Sequence, residues 1–177
     1  TDAHKWLNVP YDCGLVFCRD PQALYAAMSS SASYLVQGEQ RDPFLTVPEM
    51  SRRARGVEVW AALRSLGRSG LAEMIERTCA LAQRFADGLR AAGYTVLNEV
   101  VSNQVLVSFG DAETTQEVIA AVQQEGTAWA GGTVWHGQAA MRISVSSWAT
   151  TEADVNRSLK AIRRVASEVK AHHAMSR

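Results

Sequence analysis

Apolar positions along the 177-residue chain change their period several times, and each change marks an element. A continuous apolar run from Gly14 to Arg19 predicts a short strand covered on both faces. Asp20-Pro21 then opens a helix to about Met28, with Asp20 placed to cap free amides and Pro21 preset for the first turn. From Ser29 to Val47 periodicity lapses into serines, Gly38 and Pro43, which predicts a long loop of the kind that covers an active site or makes a subunit contact. Helical spacing returns after Pro48, where Val57, Trp60, Leu63 and Leu66 fall at three- and four-residue steps up to Gly67. A second helix starts near Ser69. Its stripe of Leu71, Met74, Ile75, Cys79, Ala82, Phe85 and Leu89 keeps one face for roughly six turns until Gly93 ends it.

Beyond Gly93 the texture changes to short strands and two helices, so the chain divides into residues 1–93 and a C-terminal lobe, 94–177. Tyr94 to Leu97, Gln104 to Phe109, Thr127 to Trp135 and Ala140 to Ser146 read as strands. Thr115 to Gln124 reads as an amphipathic helix closed by Gly126, with Val118, Ile119 and Val122 inward. In the last strand Met141, Ile143 and Val145 alternate with Arg142, Ser144 and Ser146, which puts the apolar set on one face and the polar set on the other. Thr151 and Asp154 form a capping-box-like start for a final helix with Val155, Leu159, Ile162, Ala166 and Val169 inward; residues 171–177 read as a frayed end.

Composition narrows the function classes. Hydrophobic residues make up 47% of the chain and 18 basic side chains balance 18 acidic ones, so no basic field exists to hold a phosphodiester backbone or a membrane surface. No apolar run approaches the roughly 20 residues that span a bilayer, and the polar first residues do not resemble a secretory signal. Cys13, Cys18 and Cys79 are odd in number and lack metal or disulfide spacing, which predicts apolar filler in a reducing compartment, and the protein reads as cytoplasmic with no metal site.

Three segments carry a chemical signal. Asp2-Ala3-His4-Lys5-Trp6-Leu7-Asn8-Val9-Pro10-Tyr11-Asp12-Cys13-Gly14 resembles the cofactor-lysine segment of the group II pyridoxal-phosphate-dependent amino acid decarboxylases, the family of aromatic amino acid, histidine and glutamate decarboxylases. Ser51-Arg52-Arg53-Ala54-Arg55 with Trp60 is similar to that family's second recognisable segment. Met141 to Ser146 followed by Thr150-Thr151 is similar to its last strand-to-helix passage. The order is right, and the match covers the C-terminal part of such an enzyme only.

The resemblance implies an α/β fold, namely the end of the large domain plus the small α+β domain of a fold-type I enzyme, working as a dimer. It implies that Lys5 forms a Schiff base with pyridoxal 5'-phosphate, that His4 lies beside the cofactor, and that Met50 and Ser51 sit where the family's dimers reach the neighbouring subunit's pocket, with Ser51 a cofactor contact. Arg142 becomes the candidate for the substrate carboxylate, which a planar guanidinium grips with two parallel hydrogen bonds. Without the resemblance each has an ordinary reading: Lys5 a solvated charge, His4 a buried ring bonded to backbone, Arg142 an outward arginine on a sheet. Asp2 is left without a role, since a carboxylate facing a phosphate dianion is unfavourable.

A lysine amine adds to an aldehyde only in its neutral form, and the cofactor ring is an electron sink for charge left at the α carbon, so the protein's task is to position the bond that breaks. The expected reaction is decarboxylation of an L-amino acid, aromatic in preference, because no further cation is dedicated to an acidic side chain. Two departures from the family matter. The loop Gln37 to Val47 contains Phe44 but no tyrosine, with Tyr34 just before it, so the proton donor of many members is lacking and an aldehyde-forming or carbon–carbon bond-forming enzyme is a rival. The family's ring-stacking aromatic, its aspartate for the pyridinium nitrogen and most of its phosphate cup precede the lysine, so the chain is expected to work with an N-terminal half, on the same or a separate polypeptide. A non-catalytic assembly domain is the third reading.

Overall fold

In the computed structural model of the protein, residues 1–29, 42–49 and 51–175 are described. They form two compact units, Thr1–Ser65 and Leu66–Arg177. The long helix that both units share is interrupted at Gly67, whose φ of 62° and ψ of −172° only glycine adopts readily.

The first unit begins with a single helical turn, α1 (Ala3–Trp6). It continues through α2 (Pro21–Met28) and a 3-10 turn (Pro43–Thr46) to the start of α3 (Gly56–Ala91). Asp20 caps α2 as expected, its Oδ1 accepting from the Gln22 and Ala23 amides at 3.0 and 3.1 Å. The strand expected at Gly14–Arg19 is corrected: only an isolated bridge, Asp2 to Gly14, forms there. A strand needs a neighbour along its length, and without one Val16 and Phe17 stand 84% and 87% exposed. Cys18 is exposed as well, so it is not apolar filler; Cys13 is buried. Of the expected loop, residues 30–41 lie outside the described residues, and Phe44 falls in the 3-10 turn.

The second unit is a four-stranded antiparallel sheet with helices on one face. Its strands are β1 (Thr95–Val96), β2 (Gln104–Ser108), β3 (Gly131–Trp135) and β4 (Gln138–Ser144), in spatial order β1-β2-β4-β3. Period-two alternation does what the sequence requires. Met141, Ile143 and Val145 are buried with Val105 and Val107, while Arg142 and Ser144 stay exposed. Against that apolar face pack Leu81, Phe85 and Leu89 of α3, Val118 and Val122 of α4 (Ala112–Glu125), and Val155, Leu159 and Ile162 of α5 (Glu152–Met175). Together they form one continuous core.

Helix ends are set by side chains the sequence exposes. Asp111 starts α4 by accepting from the Thr114 amide at 2.8 Å, and Gly126 closes it at φ 83°. At α5 the reciprocal box is complete: Thr151 Oγ1 accepts from the Asp154 amide at 3.3 Å, and Asp154 Oδ2 accepts from the Thr151 amide at 3.0 Å. Helix α5 runs on to Met175, past the point where fraying was expected, and His173 Nε2 lies 2.8 Å from Glu117 Oε2 of α4. Among the described residues, no helix is long and apolar enough to cross a membrane.

Candidate functional site

The candidate lysine sits on a backbone that is fixed on both sides. Helix α1 is too short to hold itself, so its shape comes from its neighbours. The Ala3 amide donates to the Cys13 carbonyl at 3.1 Å and the Leu15 amide to the Thr1 carbonyl at 2.8 Å. Behind this loop, Ala3, Val9 and Cys13 bury against Val59 of α3, with Leu7, Leu15 and Ala62 around them. The turn ends at Asn8, whose φ of 52° reverses the chain and whose Nδ2 donates to the Lys5 carbonyl at 3.2 Å.

On that support Lys5 points outward. Its Nζ is 3.3 Å from Asp2 Oδ2, and the two side chains are 67% and 51% exposed. A pair so open to water contributes little and opens readily, which leaves the amine available to another group. Asp2, to which the sequence assigned no role, is therefore the lysine's ion-pair partner. His4 is half-buried and stacks on Tyr11, ring centroids 4.3 Å apart and planes inclined by 25°. The stack was not legible in the sequence, because seven positions separate the two rings and the chain between them reverses at Asn8, φ 52°.

That turn is tied to the entry of α3. Arg55 Nε donates to Asp12 Oδ2 at 2.6 Å, and Arg55 Nη1 lies 3.4 Å from Glu49 Oε2. The Asp12 hydrogen bond raises Arg55 above its ordinary pKa. Glu58, in the first turn of α3, is held below the usual carboxylate range, first by its own backbone amide and then by its hydrogen bond to Arg53. The arginine-rich segment thus works as a charged clasp. Ser51 is exposed at its start, and Met50 lies outside the described residues.

Arg142 belongs to the second unit. It sits in β4 between Leu106 of β2 and Gly131 of β3, exposed, and no described residue forms a hydrogen bond or ion pair with its guanidinium. Among the described residues nothing occupies its donors, which suit an anion. The structure thus brings Lys5 and His4 together on α1 and places Ser51 in the same unit, while Arg142 is carried by the other.

Such a set fits part of what pyridoxal phosphate requires: an accessible primary amine on a rigid turn, with a stacked aromatic pair alongside. Among the described residues no cluster of His, Cys, Asp and Glu could hold a metal ion.

Residues 1–110 match the model of the pyridoxal-dependent decarboxylase conserved domain, and the chain belongs to that family, in its group II branch. It is 25% identical over 95% of its length to a 4-hydroxyphenylacetaldehyde synthase of Rhodiola rosea, and 30% identical over 93% of its length to a histidine decarboxylase of Drosophila melanogaster. The chain spans 36% and 20% of those two proteins. A crystal structure of Oryza sativa TDC with PLP and tryptamine superposes with a TM-score of 0.79 at 23% identity, covering 85% of this chain and 34% of that one. The α/β architecture expected for a C-terminal segment of a fold-type I enzyme is therefore the architecture found.

Proposed function

We propose that this chain is the lysine-bearing segment and small domain of a pyridoxal-phosphate-dependent L-amino acid decarboxylase, completed by an N-terminal half and working as a cytoplasmic dimer. The observation that carries the proposal is Lys5. It is an open amine on a turn pinned by Ala3, Val9 and Cys13, inside the stretch that matches the family.

Lys5 would hold the cofactor covalently through Nζ and, as a free amine, would carry a proton at the site. The His4–Tyr11 stack presents a flat, partly apolar face beside the lysine and limits how its turn can move. Ser51 offers a hydroxyl to a phosphate oxygen. Arg142 takes the substrate carboxylate, for which its unpaired fork is suited; fixing that group decides which bond at the α carbon is turned toward cleavage. Pyridoxal phosphate, when bound, supplies the electron sink for the charge that cleavage leaves.

The aldehyde-forming reading is the second one, favoured by the Rhodiola rosea relative and by the absence of tyrosine from Gln37 to Val47. Both readings share a first test. Incubation of the assembled protein with pyridoxal phosphate, borohydride reduction and peptide mapping should place the label on Lys5 and find none there in Lys5→Ala. A label spread evenly over Lys5, Lys160 and Lys170 would leave the non-catalytic assembly domain as the better description. Given a labelled Lys5, candidate amino acids, aromatic ones first, separate the two chemistries. Carbon dioxide with amine supports decarboxylation, and carbon dioxide with aldehyde and peroxide supports the rival.

A further inference from the structure

Asp12 occupies the left-handed region at φ 79°, where a non-glycine side chain is held only by its surroundings. Two bonds from a single residue hold it. Arg55 Nε donates to Asp12 Oδ2 at 2.6 Å, and the Arg55 carbonyl accepts from the neighbouring Cys13 Sγ at 3.8 Å. Arg55 is itself fixed just before α3. Its amide donates to the Arg53 carbonyl at 2.9 Å, and its second arm reaches Glu49 Oε2 at 3.4 Å.

What the Asp12 turn supports is the lysine's own helix. One residue before it, Tyr11 stacks on His4, the residue beside Lys5. One residue after it, the Cys13 carbonyl receives the Ala3 amide at 3.1 Å and Gly14 bridges Asp2, the residue paired with Lys5. These three contacts of α1 are made by residues that flank a turn whose backbone would relax if the Arg55 contact were lost.

We propose that Arg55 is a positioning residue for Lys5: by holding Asp12 in its left-handed turn, it fixes the His4–Tyr11 stack and the short helix that presents the lysine. The inference rests on the reading of Lys5 as the cofactor lysine and adds to it a residue that touches neither cofactor nor substrate. Displacement of a reacting group by an ångström costs up to about a hundredfold in rate, so a turn that moves α1 this far is felt at Nζ.

The test uses the protein in its native assembly and two readouts. The first is labelling of Lys5 by pyridoxal phosphate and borohydride, measured relative to Lys160 and Lys170 on α5. The second needs no cofactor: the ring-proton shift of His4, moved upfield by the Tyr11 ring current, in protein labelled at histidine. Arg55→Ala should lower relative Lys5 labelling on the order of tenfold and abolish the upfield shift, with Arg55→Lys intermediate. Adding Asp12→Gly to Arg55→Ala should restore both readouts, because glycine takes a positive φ without a partner. A merely structural loss would not be rescued in that way.

Both readouts unchanged in Arg55→Ala, or no recovery with Asp12→Gly, would overturn the proposal. Should Arg55→Ala fail to fold, Asp12→Asn removes the charge at constant size and is judged by the same two signals. If the native protein shows no preference for Lys5, the functional reading fails, while the His4 shift still decides the role of Arg55.

Discussion

Gly88 lies on α3 against Leu159 of α5, and replacing it with alanine tests the packing of the second unit. A methyl group built there would stand 2.6 and 3.0 Å from the two terminal carbons of Leu159 and 3.4 Å from its branch carbon. All three close contacts are to the branched end of one side chain, so relief requires Leu159 to change rotamer or shift within the core it shares with Leu89 and Ile162. Two terms compete. Alanine gains about 1 kcal/mol over glycine in a helix interior, and an added methyl in a filled core costs about 1–3 kcal/mol. The net expectation is a loss of about 1 kcal/mol, or about 2–4 °C in Tm for a chain of this size.

The decisive comparison is the same change in a Leu159→Ala background. Leu159→Ala alone should cost about 2–5 kcal/mol through lost burial and the cavity it leaves. With the obstruction gone, Gly88→Ala should stabilise by about 1 kcal/mol, so the sign reverses and the two sites couple by about 2 kcal/mol. Urea unfolding of the four proteins, followed by circular dichroism, measures every corner of the cycle. If Gly88→Ala stabilises the wild-type protein, or has the same effect in both backgrounds, the close approach of α3 and α5 at this point is wrong.

Two further outcomes concern Arg142 and Asp154. Arg142→Lys keeps the charge but loses the planar fork, so in the assembled enzyme KM should rise on the order of tenfold with a smaller change in kcat; an unchanged KM would return Arg142 to an ordinary surface arginine. Asp154 is held below the usual carboxylate range, first by the Thr151 hydroxyl and then by the Thr151 amide. Its contribution to stability is therefore fully present above the unfolded value of about 3.9 and is lost as the pH falls through the lower folded value. The gap in urea midpoint between wild type and Asp154→Asn should be constant near neutrality and narrow as the pH falls below about 4; a gap that does not change on acidification would refute the capping role.

How far the sequence discloses this molecule depends on whether the information is local. The break at Gly67, the cap at Asp20, the box of Thr151 and Asp154 and the alternation of β4 are each written in residues a few positions apart, and each is found. The run at Gly14–Arg19 reads as a buried strand because its composition is that of one, yet burial is supplied by neighbours; Val16 and Phe17 remain exposed among the described residues. The same rule separates the parts of the site. Lys5 and His4 can be picked out from a short motif, since their chemistry is carried by residue type and order. The clasp between Asp12 and Arg55 cannot, since 43 positions separate its members and they meet where Val59 packs against Ala3, Val9 and Cys13. A candidate lysine can thus be legible in one dimension while the residue proposed to position it is legible only in three. For that reason the lysine's neighbours across the fold, more than those beside it in sequence, are where changes to its reactivity are expected.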